Sequence, residues 1–483
     1  MIGVYKEIKA EYCDESLLAP RNRGNPCISA LPWAGHSIDQ ILKSFQYLPA
    51  PPSTSDLLLS DLQRISQLFE LSDLVYRRAE YKNAISAAVT VLSETYVARN
   101  IVTEEDHRRR TLLHQTPPGA TRLLLPANWR STAKGLGFFG PSGSGKTTFG
   151  KRFCLPFSVV IIHTNYRGTQ LSQKQVPVLY IQIPYDANLK SLCVAFFATV
   201  DAILGNGGFY EKQGRNAGSI PLMVALIARV GNAICLGVLF VDEVHNLRVA
   251  KGPKIVEMLN LFSQLMEQAG ISVYVAGVPS VKAMLQPTTP NQRKLVTAGE
   301  HNFGLMALDD PEFIDFTDLL WSRKMVRMQN RLTPGIRKVW HERSAGNPAF
   351  IVLLFMLTQR NEIGVTEEVN ELTLAMAAEE NMATLQPAIR ALRIGGAAAM
   401  DAYDTMKVQK IVDAILTEMN LPPTNILAYR TDGTPDFPEI GDDDSNNEPP
   451  AAAQDRPKRQ LSTRADQASD SPLPDPENPL LLL

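Results

Sequence analysis

The sequence predicts an α/β protein: a parallel β-sheet between helices, a helical region ahead of it, a helical lid behind it and a disordered C-terminal tail. Three observations lead there. Short apolar runs alternate with helical stretches from Gly135 to Leu308, and strands that are apolar on both faces belong to covered parallel sheets. A glycine-rich turn separates the first run from a segment that can be helical. Beyond Pro311 the runs cease and amphipathic helical spacing takes over.

Residues 1–50 hold Pro20, Pro26, Pro32 and Pro49 with little periodicity, which reads as an irregular arm laid over another surface. Residues 51–130 form a helical N-terminal region and linker. Ser55 is the expected N-cap of its apolar three- and four-residue pattern, and "HQTPPGATRLLLPANW" leads out of it. In the core, 131–309, the expected strands are "GLGFFG", "SVVIIH", "VPVLYIQIP", "CLGVLFVDE", "ISVYVAGVP" and "FGLMAL". The lid, 310–420, includes "PEFIDFTDLLWSRKM" and "NPAFIVLLFMLTQRNEI". Residues 421–483 are rich in Pro, Asp and Ser and cannot bury enough surface to offset their ordering entropy. The closing "PLLLL" is an apolar exception and a candidate docking element.

The 483 residues, 45% of them hydrophobic, suffice for two or three domains. A net charge of −2 announces no global basic field, so any nucleic-acid surface must be a local patch. Cys13, Cys27, Cys154, Cys193 and Cys235 are scattered without a C-x-x-C pair, which fits reduced thiols, and with His36 they match no zinc spacing. No apolar run reaches membrane-spanning length, and Met1 to Glu15 is acidic where a signal peptide is basic and then apolar. A cytoplasmic protein is expected, with no membrane partner.

"GFFGPSGSGKTT" carries G-x-x-x-x-G-K-[ST], with Gly140, Gly145, Lys146 and Thr147 in the fixed places and Pro141, Ser142, Gly143 and Ser144 between them. The motif lies between an apolar run and a helix, the context it requires. Glycines let successive N–H groups turn toward phosphate oxygens, and the helix start adds its positive end. Lys146 would span the β- and γ-phosphates, Thr147 would ligate Mg²⁺, and Thr148 continues the site. The competing reading is a bare Gly/Ser-rich turn. Farther on, "VLFVDE" ends an apolar run in two carboxylates: Asp242 suits metal binding through water, and Glu243 suits orienting the attacking water. A charge pair at a helix start is the alternative reading. The long separation of Lys146 from Asp242, and the helices after the last strand, favour an ATPase with a lid over a compact nucleoside kinase.

On these stretches, with "YIQIPYDANLKSLCVAFFATVDAILG", "LGVLFVDEVHNLRVAKGPKIVEMLNLFSQLMEQAGISVYVAGVP" and "SAGNPAFIVLLFMLTQRNEI", the chain resembles the AAA+ ATPases of Tn7-like transposons (TnsC), with the TniB proteins as neighbours. The resemblance covers about 95 to 365. It implies a homo-oligomeric ring or filament that binds ATP and Mg²⁺, encloses double-stranded DNA without sequence preference, and links a target-selection protein to the transposase and its associated endonuclease. Carried over by position, Lys146 and Thr147 hold phosphates and metal, and Asp242 and Glu243 form the acidic pair. Arg293 stands where such ATPases place a finger toward the neighbouring subunit, an exposed helix-end arginine being the other reading. Lys190 stands where a pore loop meets a DNA phosphate, a solvated lysine being the other reading.

Two places depart from the family pattern. Val278 occupies the expected polar sensor position, with Ser280 the nearest hydroxyl, and the lid run Gly346, Asn347, Pro348, Ala349 lacks an arginine. Both imply slow hydrolysis, with ATP acting chiefly as an assembly switch. Two other readings remain open at the level of sequence. One is an AAA+ or STAND-type signalling or conflict ATPase that works through protein partners without DNA; the other is a helicase-loading or initiator-like protein.

Overall fold

In a computed structural model, the described residues are 5–117, 119–184, 188–249, 253–282 and 295–395, with Tyr403 and two short strands at 428–429 and 435–436. Met1–Ile426 form one compact unit and Leu427–Leu483 a second. In the second, the strands Ala428–Tyr429 and Pro435–Asp436 pair antiparallel, and the rest of the expected disordered tail, "PLLLL" included, lies outside the described residues.

In the first unit the chain makes β1 (Lys6–Lys9), β2 (Gly135–Phe139), β3 (Val159–Tyr166), β4 (Thr169–Gln175), β5 (Val178–Gln182), β6 (Val238–Asp242), β7 (Ser272–Gly277) and β8 (Glu300–Asn302). Five of them form a parallel sheet in the order β5-β6-β7-β2-β8. Side-chain alternation divides this sheet cleanly. Leu136, Phe138, Val238, Phe240, Tyr274 and Ala276 face one apolar layer; Phe139, Leu239, Val241, Val273 and Val275 face the other. The helices Leu189–Leu204, Ile220–Ala233 and Pro253–Gln264 supply the second layer, and Ala79–Val97 with Lys146–Cys154 supply the first. The α/β expectation is met, and four expected strands stand as β2, β5, β6 and β7.

Three expectations are corrected. "SVVIIH" is not in the main sheet: β3 pairs parallel with β1 and antiparallel with β4, making a separate three-stranded sheet. The sixth strand is the polar Glu300–Asn302 rather than "FGLMAL", because its main chain closes the sheet edge while Phe303 and Met306 turn inward as core side chains. Ser55 precedes only the short 3₁₀ helix Asp56–Leu58 and makes no side-chain cap bond to it; the α-helix Asp61–Leu68 is preceded by Ser60, whose N–H donates to Gln63 Oε1 at 3.1 Å.

Residues 5–50, the described part of the arm expected to be irregular, are folded. The helix Ile38–Phe45 opens with a capping box in which Gln40 N–H donates to Ser37 Oγ (3.3 Å) and Ser37 N–H to Gln40 Oε1 (2.8 Å). Its apolar residues Ile41, Leu42 and Phe45 are buried with Cys27, Ile28 and Trp33 in the layer behind the helix Lys146–Cys154. Trp33 packs edge-on against Phe157 at 4.9 Å, and Phe45 lies 5.5 Å from Phe149. Helices between 51 and 115 serve two cores: Leu68 and Leu71 join the lid, while Tyr81 to Tyr96 join the sheet.

The lid helices Pro311–Trp321, Pro334–Ser344 and Pro348–Glu362 share one local design. Each begins with proline, whose missing N–H costs nothing at the first helical position, after a polar cap: Asp310, Thr333 or Asn347. Trp340, Leu354, Phe355 and Leu374 fill their core, with Trp340 stacked 4.8 Å from Phe355. Among the described residues no helix is long and apolar enough to cross a membrane, and no three His, Cys, Asp or Glu side chains cluster as metal ligands. All five cysteines are free.

Candidate functional site

A cleft of about 640 Å³ opens at the C-terminal ends of β2, β6 and β7. Ser142 to Thr148, Asp242, Glu243, His245 and Val278 line one side; Leu71, Leu74, Tyr76, Met306, Phe316, Val352 and Met356 are among those lining the other. The structure therefore brings Lys146, Thr147, Asp242 and Glu243 together. A phosphate-sized polar end continuous with an apolar, partly aromatic end is the form of a nucleotide cleft.

The loop takes its shape from the glycines and from what presses on it. Gly143 has φ +80°, and a Cβ there would lie 2.5 Å from Asn347 Oδ1, so only glycine fits. Gly140 N–H donates to Gly277 O (3.3 Å), tying the loop's start to the end of β7. Lys146, 8% exposed, donates from Nζ to Pro141 O at 2.8 Å. The ammonium is thus inside the loop, next to the helix start that follows it.

Asp242 ends β6 fully buried. Tyr180 Oη donates to its Oδ2 at 2.5 Å and Glu243 N–H to its Oδ1 at 2.8 Å, so both carboxylate oxygens have fixed partners. Burial, then the charge of Asp242, pushes the Tyr180 phenol well above its ordinary value, so it remains a donor. Glu243 is left-handed at φ +59°, an uncommon conformation for a residue with a side chain, and its Oε2 lies 3.0 Å from His245 Nε2. Both side chains are about one-third exposed, so this pair faces the cleft and not the core.

The lid reaches the loop directly. Asn347 Nδ2 donates to Ser142 O (2.9 Å), Ala349 N–H to Gly143 O (3.3 Å), and Tyr403 Oη to Ser142 O (2.7 Å). Gly346 permits this approach: its φ is +65° and a Cβ would stand 1.9 Å from Met306 O. In the sequence Asn347 stands out only as the absence of an arginine, yet its side chain both caps the lid helix, accepting from Ala349 N–H at 3.1 Å, and holds the phosphate loop.

Other lining residues had no local signal. Leu71, Ser72, Leu74, Val75, Tyr76 and Arg78 come from the linker and Tyr81 from the helix Ala79–Val97, where its Oη donates to Gly145 O at 3.3 Å. Val278 is buried and lines the cleft at the end of β7, while the Ser280 hydroxyl is buried without a hydrogen-bond partner among the described residues. Lys190 is exposed in the first turn of Leu189–Leu204 and is not among the cleft's lining residues. Arg293 lies outside the described residues.

With this geometry in place, residues 130–285 match the family of AAA domains. They form an AAA-type P-loop ATPase domain. No curated protein matches the chain. Among solved structures it is similar to the ORC2 protein of Aeropyrum pernix in ADPNP–ADP complexes, with 14% identity, 68% of this chain and 82% of that chain covered, and a TM-score of 0.34. It is also similar to the A. pernix ORC1 protein in complex with DNA (14%, 68% and 87%, TM-score 0.34). A third similarity is to the Thermotoga maritima RuvB Holliday junction branch migration motor (11%, 70% and 93%, TM-score 0.31). The matched residues carry the phosphate loop, Asp242, Glu243, His245 and Val278, while the linker, the β8 loop and the lid helix supply the apolar side and Arg78 from outside them.

Proposed function

We propose that the protein is an ATP-dependent transposition regulator: it assembles as a ring or filament on duplex DNA in the cytoplasm and couples a target-selection protein to the transposase and its endonuclease. The observation that carries this reading is the pairing of a complete phosphate loop and acidic pair with two neutral groups, Val278 and Asn347, where hydrolysis-promoting groups are expected. A cleft that binds tightly and cleaves slowly suits a nucleotide that maintains an assembly. The sequence resemblance to transposon ATPases supports the choice of DNA and transposase as partners.

In this reading Lys146 and the loop's N–H groups hold the phosphates, and Glu243 orients and polarises the attacking water. The donor set fits a divalent cation: Thr147 and Asp242 would hold Mg²⁺, which when bound supplies neutralisation of phosphate charge. The fixed partners of Asp242 keep its carboxylate oriented, and the Glu243 carboxylate is held by His245. Arg293 from a neighbouring copy would complete the site.

The test is electron microscopy and sedimentation of Glu243→Gln with duplex DNA and ATP. Assemblies on DNA that outlive those of the parent, at unchanged ATP affinity, are expected. ATP binding without retention of DNA would overturn the DNA reading and favour a signalling ATPase acting through proteins.

A further inference from the structure

We propose that Arg78 is a positioning residue that ties the phosphate loop to the first lid helix, so that filling the cleft and setting the lid are coupled through one buried guanidinium. This rests on the nucleotide reading of the cleft and is independent of DNA.

Arg78 ends the linker just before the helix Ala79–Val97 and is 4% exposed. Its Nη1 donates to Ser144 O at 2.9 Å, within the phosphate loop, and to Gly304 O at 3.1 Å, in the connection from β8 to the lid. Its Nη2 lies 2.8 Å from Glu80 Oε2, and its Nε 3.5 Å from Glu312 Oε1 on the helix Pro311–Trp321. Both acids are held from behind: Gly304 N–H donates to Glu80 Oε1 (2.9 Å) and Ala79 N–H to Glu312 Oε1 (3.1 Å). Linker, phosphate loop, β8 connection and lid therefore meet on one side chain. Only a planar fork can serve these directions at once; an ammonium is a point charge.

The network is also incompletely bonded. Arg78 Nε and Glu80 Oε2 are buried without a well-formed hydrogen bond among the described residues, although ion-pair partners stand close. Unmade bonds in a buried site are costly, so a small shift of Ser144 or of the lid helix that completes them is favoured. Burial pushes the carboxyls of Glu80 and Glu312 up while the Arg78 charge draws both down, as expected of two acids sharing one cation. A buried group bonded at once to the phosphate loop and to the lid is what coupling between them requires.

The experiment uses the full chain with Arg78→Lys, Glu312→Gln and the double variant. It measures melting temperature, ATP affinity, and hydrogen exchange of residues 311–321 with and without saturating ATP. In the parent, ATP should slow exchange in that helix. In Arg78→Lys, saturating ATP should no longer do so, and the two substitutions should be non-additive on ATP affinity by at least about fivefold. Should Arg78→Lys fail to fold, Glu312→Gln, which leaves the bonds to Ser144 and Gly304 in place, must lose the ATP-dependent protection while still binding ATP. Equal lid protection in parent and variants, or additive effects on affinity, overturns the coupling. A folded parent that binds no ATP overturns the nucleotide reading itself and the coupling with it.

Discussion

The two walls of the cleft are assembled in opposite ways. The polar wall comes mainly from one run, Ser142 to Thr148, with Asp242 and Glu243 beside it, and it works through backbone geometry and fixed charge. The apolar wall is drawn from Leu71, Leu74, Val75, Tyr76, Met306, Phe316 and the helix Pro348–Glu362, segments distant in the chain and brought together by the lid core and the buried arginines that bond to it. The first should therefore respond to changes in charge with little loss of fold. The second should respond to anything that loosens the lid.

The largest separation is expected from Lys146→Ala. The ammonium donates within its own loop, to the Pro141 carbonyl, so removing it should move the melting temperature less than the nucleotide affinity. Loss of a buried counter-charge should weaken ATP binding about 100-fold or more. Fluorescent-nucleotide titration beside thermal melting checks both parts; unchanged affinity would remove Lys146 from the site.

The converse perturbation lies far from the phosphates. Arg64, fully buried, donates to both oxygens of Glu367 at 2.7 and 2.6 Å and to Met325 O at 3.0 Å, fastening the linker helix to the lid. The guanidinium, as a double donor, holds the Glu367 carboxyl down at about 2 from its ordinary 4.5. A depressed acid stabilises fully above its ordinary value and loses that stabilisation as pH falls toward the depressed one. Lid stability should therefore decline between about pH 4.5 and 2. Glu367→Gln should cost about 2 kcal/mol at neutral pH and flatten that decline, because buried Arg64 loses the carboxylate that takes two of its bonds and keeps Asp61 as its acidic partner. Melting curves across pH for parent and variant decide it, and parallel curves would show that the pair does not fasten the lid.

A smaller effect should appear where the walls touch. Asn347→Ala removes the bond to Ser142 O and the cap of Pro348–Glu362, a loss of about 1–2 kcal/mol by urea titration. ATP affinity should fall modestly with it, since the lid contact is to the loop's carbonyl side. A loss of affinity as large as that for Lys146→Ala would mean that the two walls are not separable.

The same contrast explains what could be read from the chain. β2, β5, β6 and β7 were legible because a strand covered on both faces must be apolar throughout, and the loop and acidic pair because their chemistry is contiguous. β4 was not legible: "TQLSQKQ" lies mostly exposed, and it pairs through its backbone after a turn in which Arg167 and Gly168 both have positive φ. β1 and the helix Ile38–Phe45 were obscured by prolines that sit in the turns between elements and at helix starts. Arg78 was invisible because its partners lie in four separate segments, and no local pattern marks such a meeting point.

The smallest expected effect sits outside both walls. Lys190 is exposed in the first turn of Leu189–Leu204, where its N–H donates to Asn188 Oδ1 at 2.9 Å. A cation at a helix start opposes the helix dipole, so this lysine weakens its own helix slightly and calls for a compensating anion. If that anion is a DNA phosphate, Lys190→Ala should reduce the log–log salt slope of duplex binding by about 0.9 per subunit contact and leave ATP affinity unchanged. Binding of plain duplex at several salt concentrations, with a non-hydrolysable ATP analogue present, measures the slope. A slope equal to that of the parent, accompanied by a slightly higher melting temperature, would identify Lys190 as a dipole misfit in solvent and would shift the search for a DNA surface to other basic residues.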